Sequence, residues 1–263
     1  MLSYQHIYHA GNLADVHKHA LLAWTLAYMT RKEKPLSYLE THAGRGLYDL
    51  ADPAALKTGE AAKGIKVAAE WFDAAHPYAQ VLQGIYKRHG PTAYPGSPLV
   101  AAELLRPMDD IHLCELHPQE HAALQQNMAH YGGVLRQKDG FETVQSLCPP
   151  DPRRGLLLID PSFEVKADYQ TIPKFMAQVH RKWPVGVIML WYPILQDARH
   201  RPMTFALQQQ FQDALCHEVR FPAAREGHGM VGSGMFVVNP AYGLEEEAAR
   251  LDTLFASLAR SPK

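Results

Sequence analysis

Five apolar residues in a row, Gly155-Leu156-Leu157-Leu158-Ile159, run straight into Asp160-Pro161-Ser162-Phe163. A strand with one face in water alternates apolar and polar positions. A strand without alternation is buried on both faces, which is the habit of parallel sheets covered by helices. This run therefore predicts a layered α/β domain, with Asp160 delivered to the carboxyl edge of a central strand. Ligands of such sheets bind at that edge.

The rest of the chain fits the same frame. Asn12 can cap a helix with Asp15 in its first turn, and the helix then runs from about Leu13 to Met29. Residues 36–40 read as a strand that feeds the small-residue turn Thr41-His42-Ala43-Gly44-Arg45-Gly46. Residues 47–96 have little strand character. The spacing of Trp71, Phe72, Leu82, Ile85 and Tyr86 predicts a helical insertion there, closed by Tyr94-Pro95-Gly96-Ser97-Pro98. Strands are expected at 111–115, 134–138 and 155–159, and again at 185–191, 218–221 and 232–240. Helices fall between them: one opened by Pro118, one carrying Ile172 and Met176, one around Leu207, Phe211 and Leu215, and a last one from Leu244 to Leu258. This alternation predicts a doubly wound parallel sheet.

Composition narrows the class. The 263 residues suffice for one α/β domain with an insertion and are too few for two large domains. Three cysteines, odd in number and widely spaced, make neither a disulfide framework nor a zinc site, which fits a reducing cytoplasm. No signal peptide or membrane-spanning run is expected. The formal net charge of −1 argues on its face against nucleic acid, but binding depends on local patches. Basic clusters exist at His17-Lys18-His19, Arg31-Lys32, Arg153-Arg154 and Arg199-His200-Arg201, and each taken alone reads as ordinary solvated surface.

Four places could carry chemistry. Gly44 and Gly46 would let a ligand approach the backbone closely. The full GxGxxG fingerprint is missing, so a pyrophosphate cofactor and a nicotinamide dehydrogenase are disfavoured. Glu115 ends a strand and could accept ribose hydroxyls, or it is a plain strand-end acid. It follows Gly44 by 71 positions, against the usual gap of about 20, so the insertion must supply the difference. Asp139-Gly140 is placed for an adenine amine, or is an ordinary Asp-Gly turn. Asp160-Pro161-Ser162-Phe163 suits an adenine N6. That amine is a poor nucleophile, because its lone pair is delocalised into the ring. A carboxylate and a proline-fixed carbonyl can hold both its hydrogens, and an aromatic ring can stack on the extruded base, worth roughly 1–3 kcal/mol. The bland alternative is a buried strand ending in an Asp-Pro turn. The N-terminus, from Tyr4 and His6 to Lys18 and His19, interleaves aromatics with donors in a way that suits a nucleoside, or is a packed helix with a polar face. His17 and His19 lack a third ligand, so no metal is expected.

In combination and in order, several motifs resemble the bacterial large-subunit ribosomal RNA methyltransferase J family. They are Tyr4, His9-Ala10-Gly11-Asn12, Lys18-His19, Thr41-His42-Ala43-Gly44, Tyr94-Pro95-Gly96-Ser97-Pro98, Glu115-Leu116-His117-Pro118, Asp139-Gly140, Leu190-Trp191-Tyr192-Pro193 and Gly232-Ser233-Gly234-Met235. The resemblance covers nearly the whole chain. It implies a single Rossmann-like class I domain over 1–263 with a small helical insertion subdomain at 47–96. It implies S-adenosylmethionine-dependent N6-methylation of an adenine in 23S rRNA, with S-adenosylhomocysteine as product. His19, His42, Ser97, Glu115, Asp139 and Gly140 would line the cofactor site, and Asp160 would be the catalytic acid. Tyr4, Pro161 and Phe163 would meet the substrate, with His6 joining them by its position in the same segment. A cytoplasmic monomer is expected. One departure stands out. Enzymes of this type usually read Asp-Pro-Pro-Tyr, and Ser162 frees a torsion that a second proline would hold. An active enzyme with a less preorganised loop is expected. A DNA adenine methyltransferase, or a homologue that binds without turnover, are the alternative readings.

Overall fold

The computed structural model describes residues 5–223 and 229–258. A seven-stranded sheet runs through it. β1 (Ser37–Glu40) pairs in parallel with β4 (Asp110–Cys114) on one side and β6 (Gly155–Ile159) on the other. β5 (Val134–Arg136) extends the sheet beyond β4, and β7 (Val187–Leu195) extends it beyond β6, also in parallel. β9 (Met230–Val238) and β8 (Leu215–Arg220) complete the order β5-β4-β1-β6-β7-β9-β8.

β6 shows why its sequence lacks alternation. Leu156 and Leu158 enter one hydrophobic core, while Leu157 and Ile159 enter the other. The first core also takes α1 (Leu13–Met29), α6 (Ser97–Leu104), α7 (Pro118–Met128), α11 (Leu244–Leu258) and the segment between β1 and β4. The second takes α8 (Gly140–Leu147), α9 (Asp168–Lys182) and α10 (Arg201–Gln210). Helices thus cover both faces, as the apolar run requires.

Three expectations need correcting. The sheet is not wholly parallel: β9 runs antiparallel to both β7 and β8. β8 ends at Arg220 and β9 starts at Met230, too short a link for a parallel crossover of a dozen or more residues. The insertion is not purely helical. Its ends, β2 (Leu47–Asp49) and β3 (Ala93–Pro95), pair as a two-stranded antiparallel ladder around α2 (Pro53–Thr58), α3 (Glu60–Lys63), α4 (Ile65–Ala68) and α5 (Pro77–His89). Finally, Leu215 belongs to β8, opposite Val237, and not to the helix that its spacing from Leu207 and Phe211 suggested.

The insertion is fastened to the segment that leads into α1. Gly64 lies so close to that segment that a Cβ would stand 2.1 Å from the Gly11 carbonyl oxygen. The Ile65 N–H donates to that same carbonyl at 2.8 Å. Glu60 accepts from the Asn12 side chain at 3.0 Å and pairs with His9 at 3.0 Å. No helix among the described residues is long and apolar enough to cross a membrane.

Candidate active site

A cavity of about 560 Å³ opens where the carboxyl ends of the parallel strands meet the N-terminus of α1. Its volume is within the range of about 300–1,000 Å³ usual for small-molecule sites. Its walls bring together His6, His19, His42, Ser97, Glu115 and the Asp160-Pro161-Ser162-Phe163 loop, which are far apart in sequence.

On one side stands a chain of charge. Lys18, on the second turn of α1, donates to Asp160 Oδ2 at 2.5 Å and pairs with Asp15 Oδ1 at 3.2 Å. Asp15 Oδ2 in turn accepts the Gly11 N–H and meets His6 Nε2, both at 2.9 Å. The Lys18 and Asp15 side chains are 4% and 2% exposed; Asp160 keeps 13%, toward the cavity. Burial lowers the proton affinity of Lys18, but Asp160 and Asp15 outweigh it and hold the ammonium above the ordinary lysine value. Burial likewise raises Asp15, and His6 and Lys18 outweigh it, leaving Asp15 well below the usual carboxylate range. Asp160 lines the cavity, as its place at the carboxyl end of β6 predicts, and it is held there by Lys18, a partner that no local signal in the sequence names. Among the described residues Lys18 holds Asp160 through Oδ2, and Oδ1 has no hydrogen-bond partner, so this cavity-lining carboxylate keeps an oxygen available to a ligand.

Trp191 forms the neighbouring wall, with the Lys18 ammonium 5.6 Å from its ring centroid. Phe163 follows at φ +55° and is only 5% exposed, its ring packed on Tyr169 at 4.7 Å and edge-on to Trp191 at 6.2 Å. A non-glycine residue at that φ costs about 1–2 kcal/mol, so the surrounding packing must hold the loop.

The other side is built for hydrogen bonding. Glu115 accepts the Gly44 N–H at 2.8 Å and the His117 N–H at 2.7 Å, so it pins the glycine turn across the 71-residue gap. Burial raises its proton affinity. His19 Nδ1 meets the Tyr94 hydroxyl at 3.1 Å, while its Nε2 is buried without a partner among the described residues. Burial pushes His19 down to about 3 and His42 down to about 4, the latter against the pull of Asp160 and Asp139. Both rings are therefore neutral at pH 7. Ser97 starts α6 and donates to Glu40, which burial pushes up to about 8.

Asp139 and Gly140 stand apart from these walls. Asp139 caps α8, accepting the Glu142 N–H at 2.9 Å. Gly140 is packed so tightly that a Cβ would lie 2.0 Å from the Thr41 carbonyl oxygen. They adjoin the cavity through Phe141, whose ring meets His42 edge-on at 5.1 Å. Tyr4 lies outside the described residues. No group of three or more His, Cys, Asp or Glu among the described residues is arranged to hold a metal.

From sequence alone Asp15 is a helix-start acid, and Lys18 is an N-terminal donor within a basic cluster that reads as solvated surface. The structure corrects this: Asp15, His17, Lys18 and His19 are all buried, because each finds a partner inside. Trp191 carries no role from sequence beyond its motif. For Asp15 and Lys18 a signal existed: a charged pair at i, i+3 on a helix otherwise written Ala20-Leu21-Leu22-Ala23. Charges on such a helix are buried only when paired.

The strand order and the cavity at the carboxyl edge are those of a Rossmann-like domain, and the family match makes it a methyltransferase of that class I fold. The family described as ribosomal RNA large subunit methyltransferase D, RlmJ, matches residues 33–261, and the chain belongs to it. It is 37% identical to ribosomal RNA large subunit methyltransferase J of Escherichia coli, over 94% of this chain and 90% of that protein. It is also 37% identical to the protein of the same name from Haemophilus influenzae, with the same coverage. A crystal structure of a Legionella pneumophila protein superposes with a TM-score of 0.85 at 34% identity, covering 95% of this chain and 94% of that one.

Proposed function

We propose that this enzyme methylates the N6 amine of a specific adenine in 23S rRNA, with S-adenosylmethionine as donor and S-adenosylhomocysteine as product. The observation that carries the reading is Asp160, which Lys18 holds through Oδ2 and which lines the cavity together with Pro161.

The residues present fit the donor. His19 Nε2 is a buried polar atom in the cavity wall awaiting a partner. Glu115 has lone pairs to spare for ribose hydroxyls. Gly44, at φ +60°, presents bare backbone to the cavity, while the Arg45 side chain beside it is held by Glu120. His19, His42, Ser97, Glu115 and the Asp139-Gly140 turn would hold the group. When bound, it supplies a sulfonium methyl that needs no metal to activate it.

Asp160 Oδ1 and the Pro161 carbonyl accept the two N6 hydrogens and orient the nitrogen lone pair. Lys18 keeps the carboxylate from rotating away. Phe163 and Trp191 supply the aromatic surface, and His6 lines the same cavity; Tyr4, by resemblance to the family, would also meet the substrate. The proton shed by N6 passes to Asp160 or to water. Ser162 leaves the loop less fixed than a second proline would, so positioning falls to packing around Phe163. The chain works as a cytoplasmic monomer, one domain over 1–263 with 47–96 as an insertion subdomain.

Labelled S-adenosylmethionine offered with protein-free 23S rRNA or with duplex DNA tests this. Methyl incorporation into rRNA and not DNA is the expected outcome. The reverse preference favours the DNA enzyme. Calorimetric binding of S-adenosylmethionine without product on either substrate favours a homologue that has lost turnover.

A further inference from the structure

Behind the cavity wall, hydrogen bonds run in an unbroken line from Trp191 to the surface. The Trp191 indole N–H donates to Ser233 Oγ at 2.9 Å. Ser233 Oγ is 2.9 Å from His17 Nδ1, and His17 Nε2 is 2.9 Å from His217 Nδ1. His217 Nε2 is 3.0 Å from Asp252 Oδ1. Ser233, His17 and His217 are buried, whereas the Asp252 side chain is 58% exposed.

An indole N–H only donates and a carboxylate only accepts, whereas a serine hydroxyl donates one hydrogen bond and accepts two. With both rings neutral, the Asp252 end therefore sets the direction. His217 donates its Nε2–H to Asp252, and its bare Nδ1 accepts the Nε2–H of His17. His17 Nδ1 is then bare and accepts the Ser233 O–H, while Ser233 Oγ accepts from Trp191. Burial, with His217 beside it, holds His17 well below its ordinary value, which keeps the ring neutral as the line requires.

The strands are shaped around this line. Pairing sets Trp191 opposite Met235, Pro193 opposite Ser233, and His217 opposite Met235. All of these share the sheet face that packs under α1. The glycines flanking Ser233 have no room for a side chain: a Cβ on Gly234 would lie 2.2 Å from the Tyr192 ring, and one on Gly232 would lie 2.4 Å from the Val219 carbonyl oxygen. The motif Leu190-Trp191-Tyr192-Pro193, which brings Trp191 to the cavity, and Gly232-Ser233-Gly234-Met235, to which the reaction gives no role, thus meet in one device. Lys18, next to His17 on α1, lies over the same indole.

We propose that Ser233, His17 and His217 form a one-directional hydrogen-bond relay, anchored at Asp252, that fixes the Trp191 indole as the wall against which the target base is held. Ser233 and His17 are positioning residues, acting through Trp191. The effect on the base rests on the methyl-transfer reading above; the relay itself does not.

Ser233→Ala should raise KM for 23S rRNA about tenfold, the size of one lost hydrogen bond, while kcat and S-adenosylmethionine affinity stay within about twofold. His17→Asn keeps an acceptor near the Nδ1 position and should hold KM near that of the parent protein. His17→Gln keeps only the His217 link and should behave like Ser233→Ala. In ¹⁵N-resolved NMR of the parent protein, both rings should carry hydrogen on Nε2. The Trp191 indole N–H resonance should move in Ser233→Ala and His17→Gln but not in His17→Asn. If Ser233→Ala fails to fold, the two His17 variants decide. Hydrogen on Nδ1 of either ring, or equal KM values for His17→Asn and His17→Gln, overturns the relay. A parent protein that transfers no methyl to RNA defeats the proposed function instead, and the NMR result still judges the relay.

Discussion

The two halves of α1 are equally helical, yet they are built of opposite materials, and the more polar first half is the more completely buried. The second half buries Leu21, Leu22, Ala23, Leu26 and Met29, with Thr25 as its polar exception. The Thr25 hydroxyl donates back to the Leu21 carbonyl at 2.8 Å and asks nothing of the rest of the fold. The first half buries Asp15, His17, Lys18 and His19. Each of these reaches across to another element: Asp15 to His6, His17 to β9 and β8, Lys18 to the loop after β6, and His19 to β3. Burying polar groups costs free energy unless they are paired. A helix that could be apolar throughout, and is not, marks where the fold accepts that cost for chemistry.

The sharpest way to break the contrast is Lys18→Met. Were this half ordinary core, an apolar residue of similar length would be neutral or stabilising. Here it leaves two carboxylates facing each other, and denaturant unfolding should show a loss of about 3–5 kcal/mol. Methyl transfer should fall at least about a hundredfold, the low end for an essential polar group. Leu22→Ala probes the other half. It should cost about 2–5 kcal/mol by cavity formation and leave KM and kcat unchanged at a temperature where the variant is folded.

A smaller effect separates the halves by pH. His19 has a folded value near 3 against an ordinary 6.5. A lowered histidine adds stability that is complete above its unfolded value and is lost as pH falls toward its folded one. Thermal unfolding should therefore show stability declining from about pH 6.5 toward pH 3, and His19→Gln should flatten that decline. Asn12→Ala should have the mildest effect. It removes the cap that accepts the Asp15 N–H and should cost about 0.5–2 kcal/mol in the same unfolding assay.

The sequence made local structure legible and left long-range partners hidden. α1 from Leu13 to Met29, β6 from Gly155 to Ile159 and α11 from Leu244 to Leu258 were readable because cap, period and apolar run are local signals. β2 and β3 are three residues each and exist only because they pair with one another. The direction of β9 depends on a short link from β8, and the fate of Leu215 on what lies opposite it. At the site, residue types were legible and pairings were not. Asp160 was singled out for its chemistry, but nothing in the chain says that Lys18, 142 positions earlier, reaches it. The Trp191–Ser233–His17 line was equally hidden, since it needs the β7–β9 register to assemble.

The most direct test compares the parent protein with Asp160→Asn, incubated with labelled S-adenosylmethionine and 23S rRNA, followed by digestion to nucleosides and mass spectrometry. The account predicts N6-methyladenosine from the parent protein, and a drop of at least about a hundredfold in Asp160→Asn with S-adenosylmethionine affinity retained. Undiminished N6-methyladenosine from Asp160→Asn, or a methyl group found on any other atom, would contradict it.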